Sequence, residues 1–297
     1  MLSFVLHSTC AIFALLFTTI MYKYFITVST IICSLISCGE GNEAQKRLDE
    51  ANTLYENKQF IAAKNVIDSI HLMYPREVAV RKGALTLMRQ VERSECEQNI
   101  AYCDSLLPIC ISELDGLKKG FVFVKNTDYD VIGNYIWNTM TVERNVERSY
   151  IRCGVSEEGE MYMASVFFGG APINHTGLHF STNSGAFAET PNIPYDGGLN
   201  YRFHDLGNTT EVVAYKGEHC KTVANFVLIV SEKERIKATY TGGKPFSLTL
   251  SDADKKAIRS TFELARVLSD IHAMQKEKAR SQKKIMLIDQ KLTGAEP

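Results

Sequence analysis

The hydrophobic period of this chain changes twice along its 297 residues. Between residues 44 and 120 and after residue 251, apolar residues recur every three or four positions, as in amphipathic helices. Between Phe121 and Leu250 the pattern changes to short apolar runs separated by turn residues, which is typical of β-strands. A helical stretch, an all-β stretch and a second helical stretch predict an α+β fold.

The central segment, residues 121–250, predicts an antiparallel β-sandwich-like domain or an open barrel. The run Phe226–Val230 is apolar on both faces and predicts a central strand. Gly242 and Gly243 separate two alternating runs and predict a two-residue hairpin turn, because glycine tolerates positive φ. Pro245 lacks an amide donor, so the strand that follows is expected at a sheet edge. The predicted strands are 121–125, 131–137, 150–153, 161–168, 178–181, 201–204, 211–215, 223–230, 236–241 and 246–250.

The first helical stretch, residues 44–120, begins with a pattern of small and large apolar residues that ends at a proline. Its members are Ala51, Leu54, Phe60, Ala63, Ile67, Ile70 and Pro75. The pattern resembles one tetratricopeptide (TPR) repeat, which implies a helical hairpin. A lone repeat cannot bury its own apolar face, so we expect the helix predicted over residues 77–90 to pack on it.

A seven-residue rhythm follows, with the spacing of a coiled-coil seam. Its members are Cys96, Ile100, Cys103, Leu107, Cys110, Leu114 and Leu117. Cysteines seven residues apart on a helix are about 10 Å apart along its axis, too far to share a zinc ion or to bridge each other. They are therefore interpreted as small apolar seam residues, and Pro108 is expected to kink or interrupt the helix. The pattern leaves open whether the seam forms a dimer.

The last stretch, residues 251–297, predicts a long helix. Ser251 and Asp254 form a capping box at its start. Its apolar face consists of Ile258, Phe262, Ala265, Leu268 and Ile271. We expect this helix to pack back, antiparallel, on the N-terminal helical base.

Charge and cysteine content exclude two classes of protein. The chain has 33 basic and 34 acidic side chains, and no segment has the positive excess of a nucleic-acid-binding protein. Its 8 cysteines are too sparse for a small disulfide-stapled scaffold. Folding must therefore depend on buried apolar area.

The charges are absent from the front of the chain, where Lys23 is the only charged residue among the first 38. From Met21 the sequence has a short positive start, an apolar run and a small-residue boundary, the layout of a secretory signal. The segment Leu35-Ile36-Ser37-Cys38 resembles the lipobox of bacterial lipoproteins. This resemblance implies removal of residues 1–37, a lipid on Cys38, a polar tether over 38–43 and a location in the bacterial envelope, with the outer membrane expected. An uncleaved membrane anchor is the alternative, and Met21 is expected to be the true initiator.

Motifs of catalysis are absent from the sequence, which contains no H-E-x-x-H, G-x-S-x-G, G-x-G-x-x-G or phosphate-binding loop. No catalytic residue, metal ligand or cofactor site is therefore predicted. A metal site would require the fold to assemble His175, His179, His204 or His219, and their spacing does not favour this.

The loop over residues 191–205 is the least ordinary part of the central domain. Tyr195, Asp196 and Tyr201 are predicted as a binding site, because two aromatic rings and a carboxylate can together hold a sugar. The alternative is an ordinary loop with a buried tyrosine. Cys153 and Cys220 are either a disulfide or two separate thiols.

The sequence thus favours a lipid-anchored envelope protein, attached to the membrane through its N-terminal lipid, that presents a non-enzymatic binding or assembly surface to a protein or glycan. An envelope hydrolase or glycan-processing enzyme with a site in the β domain is the alternative, and a structural spacer is a third hypothesis. Hydrogen-bonded carboxylates or histidines in a pocket would favour the enzyme, whereas an exposed apolar patch would favour the binding protein. Oligomeric state stays open.

Overall fold

Helices flank two antiparallel sheets in the computed structural model, which describes residues 40–293 apart from 127, 129, 130 and 231. The predicted α+β class is confirmed. The helices are α1 (40–56), α2 (Phe60–Met73), α3 (Val78–Leu117), α4 (Glu218–Ile229) and α5 (Asp252–Thr293). The strands are β1 (Phe121–Val124), β2 (Asn134–Trp137), β3 (Tyr150–Ser156), β4 (Met161–Gly169), β5 (Gly177–Thr182), β6 (Phe187–Glu189), β7 (Asn200–Asp205), β8 (Asn208–Lys216), β9 (Ile236–Thr241) and β10 (Phe246–Thr249).

The predicted signal segment 1–37 and the predicted lipid-bearing Cys38 lie outside the described residues. Among the described residues, no helix is both long enough and apolar enough to cross a bilayer. The described residues divide into two compact units, one formed by residues 40–100 and 280–293 and the other by the described residues of Ala101–Ala279.

The first unit contains the predicted helical hairpin. Ala51 on α1 and Ala63 on α2 are fully buried, so the two helices approach closely at these small residues. The start of α3 completes the core by contributing Ala84, Leu87 and Val91. The expected packing of a third helix on the hairpin is therefore confirmed.

The C-terminal helix α5 packs antiparallel on α3, as predicted. In the first unit, Lys284 Nζ lies 3.1 Å from a carboxylate oxygen of Glu92. In the second unit, Lys278 of α5 pairs with Asp104 of α3, and Arg266 of α5 pairs with Glu113 of α3. Along these contacts the residue numbers increase on α3 while they decrease on α5, so the two helices are antiparallel.

The second unit contains a six-stranded sheet of order β1-β2-β3-β4-β8-β7 and a four-stranded sheet of order β10-β9-β5-β6. The Tyr240 hydroxyl on β9 donates to the Tyr150 and Val166 carbonyls of the larger sheet, both at 3.0 Å. Phe167 on β4 meets Phe246 on β10 edge to face, with ring centroids 5.1 Å apart. These contacts identify the inner face of the larger sheet. On the same face, Cys153 Sγ lies 3.4 Å from Thr261 Oγ1 of α5.

The predicted strand over Val223–Val230 is wrong, because this segment belongs to helix α4. Four of its five buried residues are Cys220, Val223, Ala224 and Val227. The last three follow Cys220 by three, four and seven positions, which is the period of one helix face. A short continuous apolar run fits a buried strand and a buried helix equally well. The prediction also omitted the three-residue strand β6.

The hairpin between β9 and β10 is confirmed, but its turn is longer than predicted. Tyr240 pairs with Phe246, so five residues lie between the last paired positions. Lys244 uses its backbone N–H to bond the Ile173 carbonyl at 2.8 Å, which holds the loop against a neighbouring segment. β10 is at the edge of its sheet, as Pro245 predicted.

The predicted interruption at Pro108 is also wrong, since α3 runs from Val78 to Leu117 with Pro108 inside it. Pro108 and Asp104, whose carbonyl loses its helical partner to the proline, are both exposed. Water can therefore satisfy this carbonyl without ending the helix.

Candidate functional site

A groove of about 300 Å³ lies on the outer face of the six-stranded sheet. Side chains alternate along a strand, so Tyr150, Arg152, Val166 and Val212 point away from the inner face. We call this cavity the outer groove. Its lining comprises Val142, Asn145, Val146, Glu147, Arg148, Tyr150, Arg152, Val166, Phe168, Tyr201, Phe203, Asp205, Leu206, Asn208, Thr210 and Val212.

The outer groove has a buried apolar floor and an exposed apolar rim. Val166 and Val212 form the floor and are nearly inaccessible to solvent. On the rim, Phe203 is 51% exposed and Leu206 is 92% exposed, and Val142 and Val146 are also exposed. Clustered apolar side chains at the mouth of a concavity are typical of an interaction site.

The wall formed by the β2–β3 connection is held by its own hydrogen bonds. Asn145 is buried, and its Nδ2 donates to the carbonyls of Thr139 and Thr141, both at 2.8 Å. Its backbone N–H donates to the Val142 carbonyl at 3.0 Å. The connection therefore places Val142 and Val146 at the groove in a fixed geometry.

Arg152 supplies a polar group inside this apolar surface. Its Nε is buried and has no hydrogen-bond partner among the described residues. Burial raises the pKa of the neighbouring Tyr150, and the positive charge of Arg152 opposes that shift. An unpaired buried donor is unfavourable by about 1–3 kcal/mol. Arg152 as a whole is only half-buried, so a movement of its side chain would let a ligand oxygen accept this N–H and gain that stabilisation.

The three residues predicted as a binding site do not come together. Tyr201 lines the outer groove, whereas Tyr195 lines a recess of about 40 Å³ with His175, Arg202 and Glu211. The Tyr195 ring lies 4.8 Å from the guanidinium carbon of Arg202. Tyr201 and Arg202 are consecutive on β7, so they point to opposite faces of the sheet.

Asp196 holds a turn. Its carboxylate accepts from the backbone N–H groups of Gly198 at 2.8 Å and Asn200 at 2.9 Å. These hydrogen bonds lower the pKa of Asp196. The carboxylate thus stabilises the loop that leads into β7.

Three residues of the outer groove, Arg152, Phe203 and Leu206, were not predicted from the sequence as site residues.

A buried network joins a serine, a histidine and a glutamate. Ser165 Oγ lies 2.9 Å from His175 Nε2, and His175 Nδ1 lies 2.9 Å from a carboxylate oxygen of Glu211. The same carboxylate accepts from the backbone N–H groups of Asn174 and His175. The three residues come from β4, the segment before β5, and β8, so no sequence spacing indicated their proximity.

The order hydroxyl, imidazole, carboxylate is that of a serine-hydrolase triad. Ser165 is fully buried, however, and His175 is only 1% exposed. The Tyr215 hydroxyl lies 3.4 Å from Ser165 Oγ, so the phenol ring helps to cover the serine. Desolvation lowers the pKa of His175, although Glu211 acts to raise it. In this structure the network links the six-stranded sheet to the chain entering β5 and gives a substrate no access to Ser165.

The disulfide considered between Cys153 and Cys220 is not formed, since both are free thiols. Cys153 lies against Thr261, whereas Cys220 donates to the Gly217 carbonyl at 3.3 Å. Burial raises the pKa of each thiol to about 12. Both sulfurs are therefore protonated at neutral pH and pack as small apolar groups.

No group of three or more His, Cys, Asp or Glu side chains suited to a metal ion occurs in the part of the chain that the structure describes. His179 stacks on Phe187, and His204 Nδ1 lies 2.9 Å from Thr209 Oγ1. No protein-family model matches the chain, and no curated protein is significantly similar to it.

Proposed function

We propose that this chain is a lipid-anchored protein of the bacterial cell envelope whose outer groove binds a partner protein without catalysing a reaction. The observation that carries the proposal is an exposed apolar rim around the buried, unpaired Nε–H of Arg152. The lipobox-like segment ending at Cys38 supports the anchor and an outer-membrane location, facing the periplasm or the cell surface.

The chemistry of the groove describes its ligand. An apolar side chain would fill the space above Val166 and Val212, and a carbonyl or carboxylate oxygen would accept the Arg152 N–H. A polypeptide presents both groups on neighbouring residues. β7, which contributes Tyr201 and Phe203, is an edge strand of the sheet, so an extended segment could also pair with its backbone.

The rim favours a protein over a glycan. Val142, Val146 and Leu206 are exposed aliphatic side chains, which gain stability when another apolar surface covers them. A sugar, whose hydroxyl groups require hydrogen-bond partners, would leave these aliphatic groups poorly matched.

Two exposed rim residues provide the test. We expect the double variant Phe203→Ala and Leu206→Ala to reduce at least tenfold the amount of partner crosslinked to the protein in its own envelope, because the variant removes apolar contact area. Quantitative mass spectrometry of the crosslinked complex measures this.

Phe187→Ala is the matched control, since Phe187 is an equally exposed aromatic (63%) on the four-stranded sheet. It should leave the amount of partner unchanged. Equal capture by the rim variant and the wild type would contradict the proposal.

A hydrolase is the second candidate, and the Ser165–His175–Glu211 distances favour it. It requires movement of the covering residues, because a fully buried serine cannot reach a substrate. Covalent labelling of Ser165 by a fluorophosphonate probe in the native protein, with no labelling of the Ser165→Ala variant, would support this candidate. An unlabelled wild-type protein would exclude it.

A further inference from the structure

The turn between α2 and α3 carries apolar side chains that the core does not use. Leu72 is 81% exposed, and Met73 and Val78 are each 58% exposed. We call residues 72–78 the apolar turn. The buried side of the same helices is already occupied by the hairpin core, so these side chains form a separate surface.

Exposed cations lie within and directly after the apolar turn, with acidic side chains near them. Between residues 71 and 82 the basic side chains are Arg76, Arg81 and Lys82, and the acidic one is Glu77, a net charge of +2 with histidine neutral. Arg76 and Lys82 are exposed, whereas Arg81 donates to the Pro75 carbonyl at 2.9 Å. Apolar side chains flanked by exposed cations are typical of surfaces that contact anionic lipid headgroups.

The beginning of α1 lies at the same end of the hairpin. A Cβ at Gly41 would lie 3.3 Å from a carboxylate oxygen of Glu77, so these two positions are adjacent. Glu40 and Glu43 at this end partly offset the positive charge, although Glu43 pairs with Lys46 at 2.9 Å. Cys38 precedes Gly41 by three residues, which span at most about 11 Å of extended chain. A lipid on Cys38 would therefore bring the bilayer surface to the apolar turn.

We propose that the apolar turn is a second membrane contact, in which Leu72, Met73 and Val78 enter the headgroup region and Arg76 and Lys82 contact anionic phosphates. The proposal rests on the proposed lipid anchor at Cys38. Two contacts at one end of the hairpin would fix the orientation of α1 and α2 on the membrane, which attachment at a single point cannot do.

The experiment uses the full chain purified from its own envelope. The protein is reconstituted in vesicles of phosphatidylethanolamine and phosphatidylglycerol that contain a trace of phospholipid with a photoactivatable acyl chain. After irradiation, mass spectrometry maps the lipid adducts along the chain and determines the mass of the N-terminal peptide. We expect adducts within residues 72–78, and at least tenfold fewer in the double variant Leu72→Gln and Met73→Gln.

Ile61→Gln is the matched control. Ile61 is 73% exposed near the start of α2, about 16 Å along the helix axis from Leu72. This variant should keep the adducts of the wild type. All substituted positions are exposed, and circular dichroism would verify that the variants keep the helical content of the wild type.

The outcomes separate the second contact from the anchor. A protein lipidated on Cys38 that floats with vesicles but has no adducts at the apolar turn overturns the proposal, as do crosslinks between two copies at this turn in place of lipid adducts. Adducts at the turn with an unmodified Cys38 support the second contact and refute the anchor. An unmodified Cys38 without adducts refutes both, and partner capture by the Phe203→Ala and Leu206→Ala variant is independent of all these results.

Discussion

Two histidine–glutamate pairs in the β domain differ chiefly in burial. His175 Nδ1 and Glu211 are 2.9 Å apart in the interior, whereas His179 Nδ1 and Glu189 are 3.5 Å apart with Glu189 largely exposed. Glu211 also accepts from the backbone N–H groups of Asn174 and His175. The buried carboxylate therefore organises the chain before β5, while the exposed one is expected to contribute little.

We expect Glu211→Gln to lower the free energy of unfolding by about 2–3 kcal/mol at pH 7, because it replaces the charged oxygens that accept from two backbone N–H groups and introduces an amide donor beside them. Urea unfolding followed by circular dichroism measures the change. Glu189→Gln is the control and should change stability by less than about 0.5 kcal/mol. Equal effects of the two substitutions would show that the buried network does not stabilise the domain.

The same measurement has a predicted pH dependence. Because burial lowers the pKa of His175 below its ordinary value of 6.5, the unfolded chain takes up a proton at a higher pH than the folded one. The stability from neutral His175 is therefore present above pH 6.5 and decreases as the pH falls below it. The wild type should be less stable at pH 5 than at pH 7, and an unchanged stability would contradict a neutral buried histidine.

Among the helices and strands, the element type was predicted correctly where one face of the element is buried and the other is exposed to solvent. The alternation in β9 and the three- and four-residue spacing in α5 each have a single period, so the element type follows directly. The prediction for α4 failed because residues 226–230 are a short continuous apolar run, in which a helix period cannot be distinguished from a strand period. The local sequence also could not predict which distant segment holds the β9–β10 loop, because Ile173 and Lys244 are 71 residues apart.

That loop predicts a strong effect of one glycine. A Cβ at Gly243 would lie 2.0 Å from the Ile173 carbonyl oxygen and 2.5 Å from that of Asn174. Backbone atoms cannot rotate away as a side chain can, so we expect Gly243→Ala to lower the free energy of unfolding by about 1–3 kcal/mol. Gly170→Ala is the control, because a Cβ there has no atom within 4 Å among the described residues. Urea midpoints measure both, and a Gly243→Ala protein as stable as the control would refute the close approach.

At the scale of the whole molecule, the fold class was predictable but the outer groove was not. Arg152, Phe203 and Leu206 come from β3, β7 and the turn after β7, and only the strand order β3-β4-β8-β7 makes them neighbours. Tyr201 was predicted because it belongs to the unusual stretch 191–205, although it lies on β7, whereas Tyr195 from the same stretch faces another recess. Local sequence identifies candidate side chains, but the sheet topology decides which of them share a cavity.

Location is a property of the whole molecule that a single residue is expected to control. We expect Cys38→Ala to abolish lipid attachment, so that the protein is released from membranes or accumulates as a precursor that retains residues 1–37. Cys33→Ala is the matched control, because Cys33 lies in the same apolar run but outside the lipobox-like segment, and it should leave attachment unchanged. Membrane fractionation with mass spectrometry of the N-terminal peptide distinguishes these forms. A wild-type protein that retains residues 1–37, together with a Cys38→Ala protein that stays equally attached, would instead indicate an uncleaved apolar anchor.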